Sequence, residues 1–236
     1  ICEFFLKKNI NFLSEKPLTM TPKKSLEIYK LAKKNKAMCG VIFQNRFNPS
    51  IQLVKKYIDQ NKFGKLVNIS ISLLWCRYQD YYNDGWHGTW KNDGGVLNQQ
   101  LIHHLDIMRW IFGPIKKVNC ITTKRLNKLQ AEDTAAATIK FHNGSLGIVE
   151  ATTAARPVDL HASLSIVGEK GTAVISGLAM NKIKVWKFIK QSKKKELEVI
   201  KKHSEYVPTG YGVSHIRYLN KTFSNLVNNK IIPLVD

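Results

Sequence analysis

No stretch of this sequence stays apolar long enough to cross a membrane. Its opening, ICEFFLKKNINFL, has neither the basic-then-apolar order nor the cleavage site of a secretory leader. C-x-x-C pairs are absent. Cys2, Cys39, Cys76 and Cys120 stand far apart, which argues against a zinc site or a disulfide framework and fits a reducing cytoplasm. Acids are scarce, 17 against 37 basic side chains, for a net charge of +20. Arginine is scarce too, at six of those 37. Arginine is the residue suited to bidentate recognition of bases and phosphates, so the lysine-rich charge reads as a solvated surface able to steer an anionic substrate. A non-catalytic or nucleic-acid-binding basic module is the rival reading. It predicts binding that weakens steeply with salt.

What is present is enough for a real core. The chain has 236 residues, 44% of them hydrophobic, sufficient for one large domain or two small ones. Asn11-Phe12-Leu13 reads as the end of a buried strand, and Glu15-Lys16-Pro17 puts two charges where that strand leaves the core. Ligands of open α/β sheets bind at such strand ends, although a surface loop with an incidental ion pair has the same pattern. Thr21-Pro22 looks like a helix N-cap followed by proline at the first helical position. An amphipathic helix is predicted over 22–35, with Leu26, Ile28, Leu31 and Ala32 inward. AMCGVIF, 37–43, suits a buried parallel strand. Residues 11–43 therefore form strand–helix–strand, the tail of a doubly wound sheet. Asn48-Pro49 opens a further helix with Ile51, Val54 and Ile58 on one face, and Gly64 marks its end.

The pattern then changes. Residues 66–78 alternate as a long strand, and a polar, aromatic loop follows, QDYYNDGWHGTWKNDGG. A helix is predicted over 96–112, closed by Gly113-Pro114. Strands follow at 117–125, 133–141, 145–154, 160–167, 172–176 and 182–189, with hairpin signals at His142-Asn143-Gly144 and Gly168-Glu169-Lys170-Gly171. A final helix covers 212–228. The fold class is α/β plus α+β: the C-terminal remnant of a Rossmann domain, then an open, mostly antiparallel sheet with helices on one face. There is no repeat and no low-complexity linker.

On a helix over 96–112, Gln99, His103 and Asp106 share one face, and Leu97, Leu101, Leu105 and Met108 mark the apolar side. A histidine between an amide and a carboxylate is a plausible positioned acid or base, or else a histidine satisfied by local polar contacts. His104 points elsewhere. No further ligands accompany His103 and Asp106, so no metal is expected. Gly94-Gly95 lets backbone approach a ligand closely, or simply makes the turn before the helix.

Four motifs in order, Glu15-Lys16-Pro17, VIFQNRFNP (41–49), Trp90-Lys91 before the glycine pair, and H-x-x-D-x-x-R-W from His103 to Trp110, together resemble the GFO/IDH/MocA oxidoreductase family. The resemblance continues through 132–157 and 168–177. It implies a Rossmann domain carrying NAD or NADP, of which 1–45 is the tail, and an α+β substrate and oligomerisation domain over 46–236. It implies that Lys16 and His103 flank the carbon that loses hydride, with either one as the base. A lysine desolvated beside a cationic nicotinamide has a lowered pKa, and a histidine passes a proton onward. By the same resemblance Glu15 contacts the nicotinamide ribose, Asn45 and Arg46 lie near the nicotinamide and substrate, and Trp90-Lys91 lie beside the carboxamide. Gln99 replaces the family's common aspartate; its amide binds a sugar hydroxyl but takes no proton. Lys91 replaces the usual arginine, keeping charge without the fork geometry.

The loop YYNDGWHGTW and the stretch 132–157 look closest to the branch that oxidises C3 of UDP-N-acetylglucosaminuronic acid. Trp86 and Trp90 either stack on a ligand ring or pack within the loop, and Arg156 is placed to meet an anion. Free polyols such as inositol are the alternative substrates. The resemblance also implies a cytoplasmic homodimer or homotetramer, with neither membrane nor nucleic acid as partner. No G-x-G-x-x-G and no ribose-binding acid follow any strand here. The start at Ile1 and the stop at IIPLVD, before the family's closing helix, mark the chain as an expected fragment of a longer protein, binding dinucleotide poorly alone.

Overall fold

The computed structural model describes residues 1–208 and 210–228. The IIPLVD stretch, 231–236, lies outside the described residues. The chain groups into two compact units: Ile1–Gln44 together with the chain from Val213 onward, and Asn45–Gly212.

The first unit opens with α1 (Cys2–Lys7), β1 (Phe12–Glu15), α2 (Pro22–Asn35) and β2 (Cys39–Ile42). The strand–helix–strand reading holds: β1 and β2 pair in parallel, from Phe12 opposite Cys39 to Glu15 opposite Ile42. Parallel neighbours need a crossover, and α2 supplies it. Thr21 caps α2 by accepting the Lys24 backbone N–H at 3.3 Å, with Pro22 at the first helical position. Ile28 and Ala32 are buried and Leu31 packs beside them. Leu26 does not join them and is 51% exposed. It precedes Ile28 by two residues, which on a helix is most of a half-turn off the buried stripe. The helix α1 was not expected; six residues are too few to show a helical period.

The second unit contains α3 (Pro49–Asp59), β3 (Leu66–Leu74), α4 (Gln79–Tyr82), α5 (Val96–Gln99), α6 (Ile102–Phe112), β4 (Ile115–Thr123), β5 (Thr134–Phe141), β6 (Leu146–Thr152), β7 (His161–Gly168), β8 (Gly171–Ser176), β9 (Lys182–Phe188) and α7 (Lys193–His203). Its seven-stranded sheet has the order β4-β5-β6-β3-β7-β8-β9. Only β3 and β6 run parallel; the other neighbouring pairs are antiparallel. One face buries Ile69, Ile71, Leu73, Val149, Leu164 and Ile166 in the same core as Ile51 and Val54 of α3 and Ile107 and Met108 of α6. The alternate residues, Ser70, Ser72, Ser163 and Ser165, face away, as the period of two requires. The lysine run at 193–195 reads as open surface in sequence but begins α7, capped by Ser192, which accepts the Lys195 N–H at 3.3 Å. Val199 is the only buried residue of α7, so no apolar stripe announced the helix.

The last described helix, α8 (Ser214–Val227), groups with the first unit rather than with the sheet domain in which the 46–236 boundary placed it. Its fully buried Tyr218 donates its hydroxyl to the Val41 carbonyl at 3.2 Å.

Candidate active site

In the first unit, Glu15 is the last residue of β1 and Lys16 follows it. Glu15 is exposed, with Oε1 3.5 Å from His215 Nε2 of α8. Lys16 is half-buried. Both thus sit at the C-terminal end of a parallel strand.

The remaining candidates lie in the second unit. The single helix expected over 96–112 is two, α5 and α6, broken at Gln100-Leu101. The cause is local. The Val96 N–H donates to the Glu132 carbonyl at 3.0 Å and the Leu97 N–H to Glu132 Oε1 at 3.1 Å, which tethers the start of α5 to the chain before β5. The Leu101 N–H then reaches back five residues to the Val96 carbonyl at 2.8 Å, a wider turn than an α-helix makes. His103 and Asp106 still share α6, while Gln99 belongs to α5. The glycine pair is packed against protein on the side a Cβ would occupy. A Cβ on Gly95 would lie 2.2 Å from Glu132 Cδ, and one on Gly94, at φ +78°, would lie 2.9 Å from Asn98 Cβ.

Arg46 departs from the expectation of a substrate contact. It is buried, and its guanidinium donates through Nε to Asp106 Oδ2 at 2.7 Å and through Nη2 to Oδ1 at 2.6 Å. It also lies 5.0 Å from the Trp110 ring centroid. The fork of one arginine therefore explains two positions of the H-x-x-D-x-x-R-W motif. Burial pushes the Asp106 carboxyl up, and Arg46 pulls it back in part. Beside Arg46, Asn45 is 4% exposed, and its Oδ1 has no hydrogen-bond partner among the described residues.

The loop after β3 is ordered by its aromatic rings. The Trp86 and His87 centroids are 3.6 Å apart and those of His87 and Tyr81 4.0 Å apart. Trp86 at 43% and Trp90 at 62% exposure both stand clear of the core, and Lys91 is exposed beside Trp90. Tyr81, a residue that sequence reasoning did not single out, accepts a hydrogen bond from Gln100 Nε2 at 3.3 Å. Its only signal was the density of aromatics in a polar loop. Arg156 is exposed, its guanidinium 4.3 Å from the Tyr78 centroid and hydrogen-bonded to the Ala155 carbonyl at 2.8 Å. His104 is fully buried, both ring nitrogens lack partners among the described residues, and burial pushes its pKa down to about 4.

These elements match a known arrangement. Residues 51–174, more than half of the chain, match the model of the GFO/IDH/MocA C-terminal domain. The chain belongs to the GFO/IDH/MocA family. Its backbone superposes on the WlbA dehydrogenase of Chromobacterium violaceum, solved in complex with NADH and UDP-GlcNAcA, with a TM-score of 0.89 at 30% identity over 100% of this chain and 66% of that one. The WlbA dehydrogenase of Bordetella pertussis, with the same two ligands, gives 0.87 at 30% identity over 97% of this chain and 66% of that one. An uncharacterized oxidoreductase of a Synechocystis strain is 28% identical over 69% of this chain and 47% of its own length. This GFO/IDH/MocA chain thus spans about half the length of the curated relatives it matches. No helix among its described residues is long and apolar enough to cross a membrane.

Proposed function

We propose that the protein to which this chain belongs is an NAD-dependent dehydrogenase that oxidises the C3 hydroxyl of UDP-N-acetylglucosaminuronic acid or a close nucleotide sugar. The observation that carries this reading is the match over the whole chain to dehydrogenases solved with NADH and UDP-GlcNAcA. The residues fit the cofactor. A buried acceptor without a partner costs about 1–3 kcal/mol, and Asn45 Oδ1 is such an acceptor. The carboxamide N–H2 of a nicotinamide is a donor of the right kind. Glu15, Lys16, Asn45, Trp90 and Lys91 are the residues proposed to hold the cofactor.

When bound, the nicotinamide supplies an acceptor for a hydride with its electron pair. The chain's own side chains do the rest. Lys16 and His103 are the two candidate bases for the hydroxyl proton: as the C–H pair leaves as hydride, the O–H proton passes to one of them and the alcohol becomes a ketone. Gln99 and Arg156 contact the sugar, and Trp86 offers its exposed face to a ring. Arg46 acts through Asp106 rather than on substrate. The net charge of +20 raises the local concentration of a diphosphate carrying a carboxylate. The assembly proposed is a homodimer or homotetramer in the cytoplasm.

The test is turnover of the complete protein with NAD+ and UDP-N-acetylglucosaminuronic acid. Lys16→Ala and His103→Ala are expected to abolish NADH formation with an unchanged circular dichroism spectrum. Normal turnover by both variants refutes the catalytic assignment. Turnover of inositol alone refutes the nucleotide-sugar substrate.

A further inference from the structure

We propose that the second unit carries a binding site for a small organic phosphate, an anion with a ring-shaped apolar body, in a cleft on the sheet face opposite α6; this is independent of the dehydrogenase reading above.

The cleft lies over β7, β8 and β9 and encloses about 730 Å³. Small-molecule sites typically span roughly 300–1,000 Å³. Its floor is the outer face of the sheet. Ala173 and Ile175 of β8 and Ile183 of β9 are buried in the same core as Ile107 of α6, so Ser176, Lys182 and Lys184 point the other way. Leu164 pairs with Ile175 and Ser176 with Lys182, which sets Ser163, Ser176 and Lys182 in one row across three strands. The walls are fixed by buried polar contacts. Asn181 Nδ2 donates to the Glu205 carbonyl at 2.6 Å, and the Glu205 N–H donates back to the Asn181 carbonyl at 2.9 Å. Asn48 Nδ2 and Ser50 Oγ hold the Ala179 and Met180 carbonyls, each at 2.6 Å. The cleft is therefore built before any ligand arrives.

Donors converge on this floor, and no Asp or Glu lines it. Lys182 and Lys184 are exposed, and neither their ammonium groups nor the Ser163 and Ser176 hydroxyls have a hydrogen-bond partner among the described residues. Ser72, next along the row from Ser163, is already engaged. Its hydroxyl donates to Glu150 Oε2 at 2.9 Å and lies 3.0 Å from Nε2 of His161, which lines the cleft. A carboxylate only accepts, so the Ser72 proton is spent on Glu150 and His161 Nε2 carries its own hydrogen. Glu150 is thus tied to the neighbouring row and does not line the cleft. Two free cations beside two free hydroxyls suit a tetrahedral anion with several acceptor oxygens, since hydrogen bonds to an ionised acceptor are roughly twice as strong as neutral ones. The rest of the cleft is apolar. Leu160 and Leu178 line it, and Tyr206, 82% exposed, lines it too. An exposed aromatic ring beside aliphatic side chains is a surface for stacking another ring. Inorganic phosphate uses only the cationic part of this cleft; a phosphate ester of a ring compound uses both parts.

The experiment titrates phenyl phosphate and inorganic phosphate into the complete protein by calorimetry at fixed ionic strength. Phenyl phosphate is expected to bind wild type about tenfold more tightly than inorganic phosphate. The double variant Lys182→Ala, Lys184→Ala is expected to weaken phenyl phosphate binding about tenfold or more, with a melting temperature within about 2 °C of wild type. Tyr206→Ser is expected to bring the two probes to similar Kd. Lys193→Ala, Lys194→Ala removes the same charge from α7 and is expected to leave Kd unchanged within about twofold. An unchanged Kd in the Lys182, Lys184 variant overturns the site, and so does equal weakening by the α7 variant, which assigns the effect to net charge. Equal affinity of wild type for the two probes overturns the ring-bearing ligand. A wild-type oligomer that ignores phenyl phosphate, and that the Lys182, Lys184 variant splits in light scattering, shows that a second copy covers this face and overturns the site as well. Each readout is binding or assembly, so all of them stand apart from turnover and from the fate of the dehydrogenase reading.

Discussion

Arg46 and Asp106, sixty residues apart in sequence, meet through two parallel hydrogen bonds of 2.7 and 2.6 Å, with both side chains nearly buried. The pair ties the turn bearing Asn45 to the helix bearing His103. Removing one partner of a buried pair leaves the other charge uncompensated, at about 3–5 kcal/mol. Asp106→Ala is therefore expected to lower the melting temperature by roughly 6 °C or more. Because Asp106 lies one turn after His103, kcat is expected to fall as well. The double variant Arg46→Met, Asp106→Leu, which leaves no orphaned charge, should regain most of the stability but not the activity. A melting temperature unmoved by Asp106→Ala refutes the clamp.

Gly95 and Glu132 form the second fixed relationship. With a methyl carbon required 2.2 Å from Glu132 Cδ and 2.3 Å from the Glu132 carbonyl oxygen, Gly95→Ala has no room without moving backbone. Overpacking of this kind costs typically ~1–3 kcal/mol and often more. Gly95→Ala is expected to unfold at lower urea than wild type, and Gly113→Ala, where nothing lies within 4 Å, to lose only the cost of its φ of +86°. If the two variants unfold alike, steric contact with Glu132 is not what requires glycine at 95.

His104 makes stability depend on pH. Its folded pKa, about 4, lies below the 6.5 of an exposed histidine, so the unfolded chain binds the extra proton. The neutral ring's contribution is complete above pH 6.5 and is lost as pH falls toward 4. With 1.36 kcal/mol per unit, the loss attributable to this side chain is roughly 3 kcal/mol. His104→Leu keeps the volume and removes the titration. Urea unfolding at pH 7 and pH 4 should show wild type losing roughly that amount of stability relative to His104→Leu at pH 4. Parallel pH profiles would show that His104 is accessible to protons while folded.

Most of the strands were legible because alternation and turn chemistry are local. Asn143-Gly144 and Gly168 to Gly171 announce hairpins whatever surrounds them, and β5 through β9 fell within a few residues of where the pattern placed them. The break at Gln100 was not legible, since it is imposed by Glu132, thirty-odd residues away. The same holds for Arg46: nothing near it predicts that its partner is Asp106, and the charged motif reads equally well as a ligand contact. Tyr81 was hidden by a different cause. Its hydrogen-bond partner, Gln100, comes from a distant part of the sequence, and the loop around it lacks any period. The helix α7 went unseen because it buries Val199 alone.

Asn45 gives the sharpest separation of binding from stability. An ordinary buried asparagine loses hydrogen bonds when truncated, and the fold suffers. Here Oδ1 has no partner among the described residues, so Asn45→Ala removes an unsatisfied acceptor along with the side chain. The two effects oppose each other, and the melting temperature of the cofactor-free protein is expected to stay within about 3 °C of wild type. If Oδ1 accepts from the nicotinamide carboxamide, KM for NAD+ should rise about tenfold, the worth of one good hydrogen bond. The protection that NADH confers against thermal unfolding should shrink in step, since a ligand stabilises in proportion to the logarithm of its concentration over Kd. Destabilisation of the free protein with no change in KM would assign Asn45 to the fold instead. The orphaned oxygen would then be filled by water, and the cofactor contact would have to come from another residue of the turn.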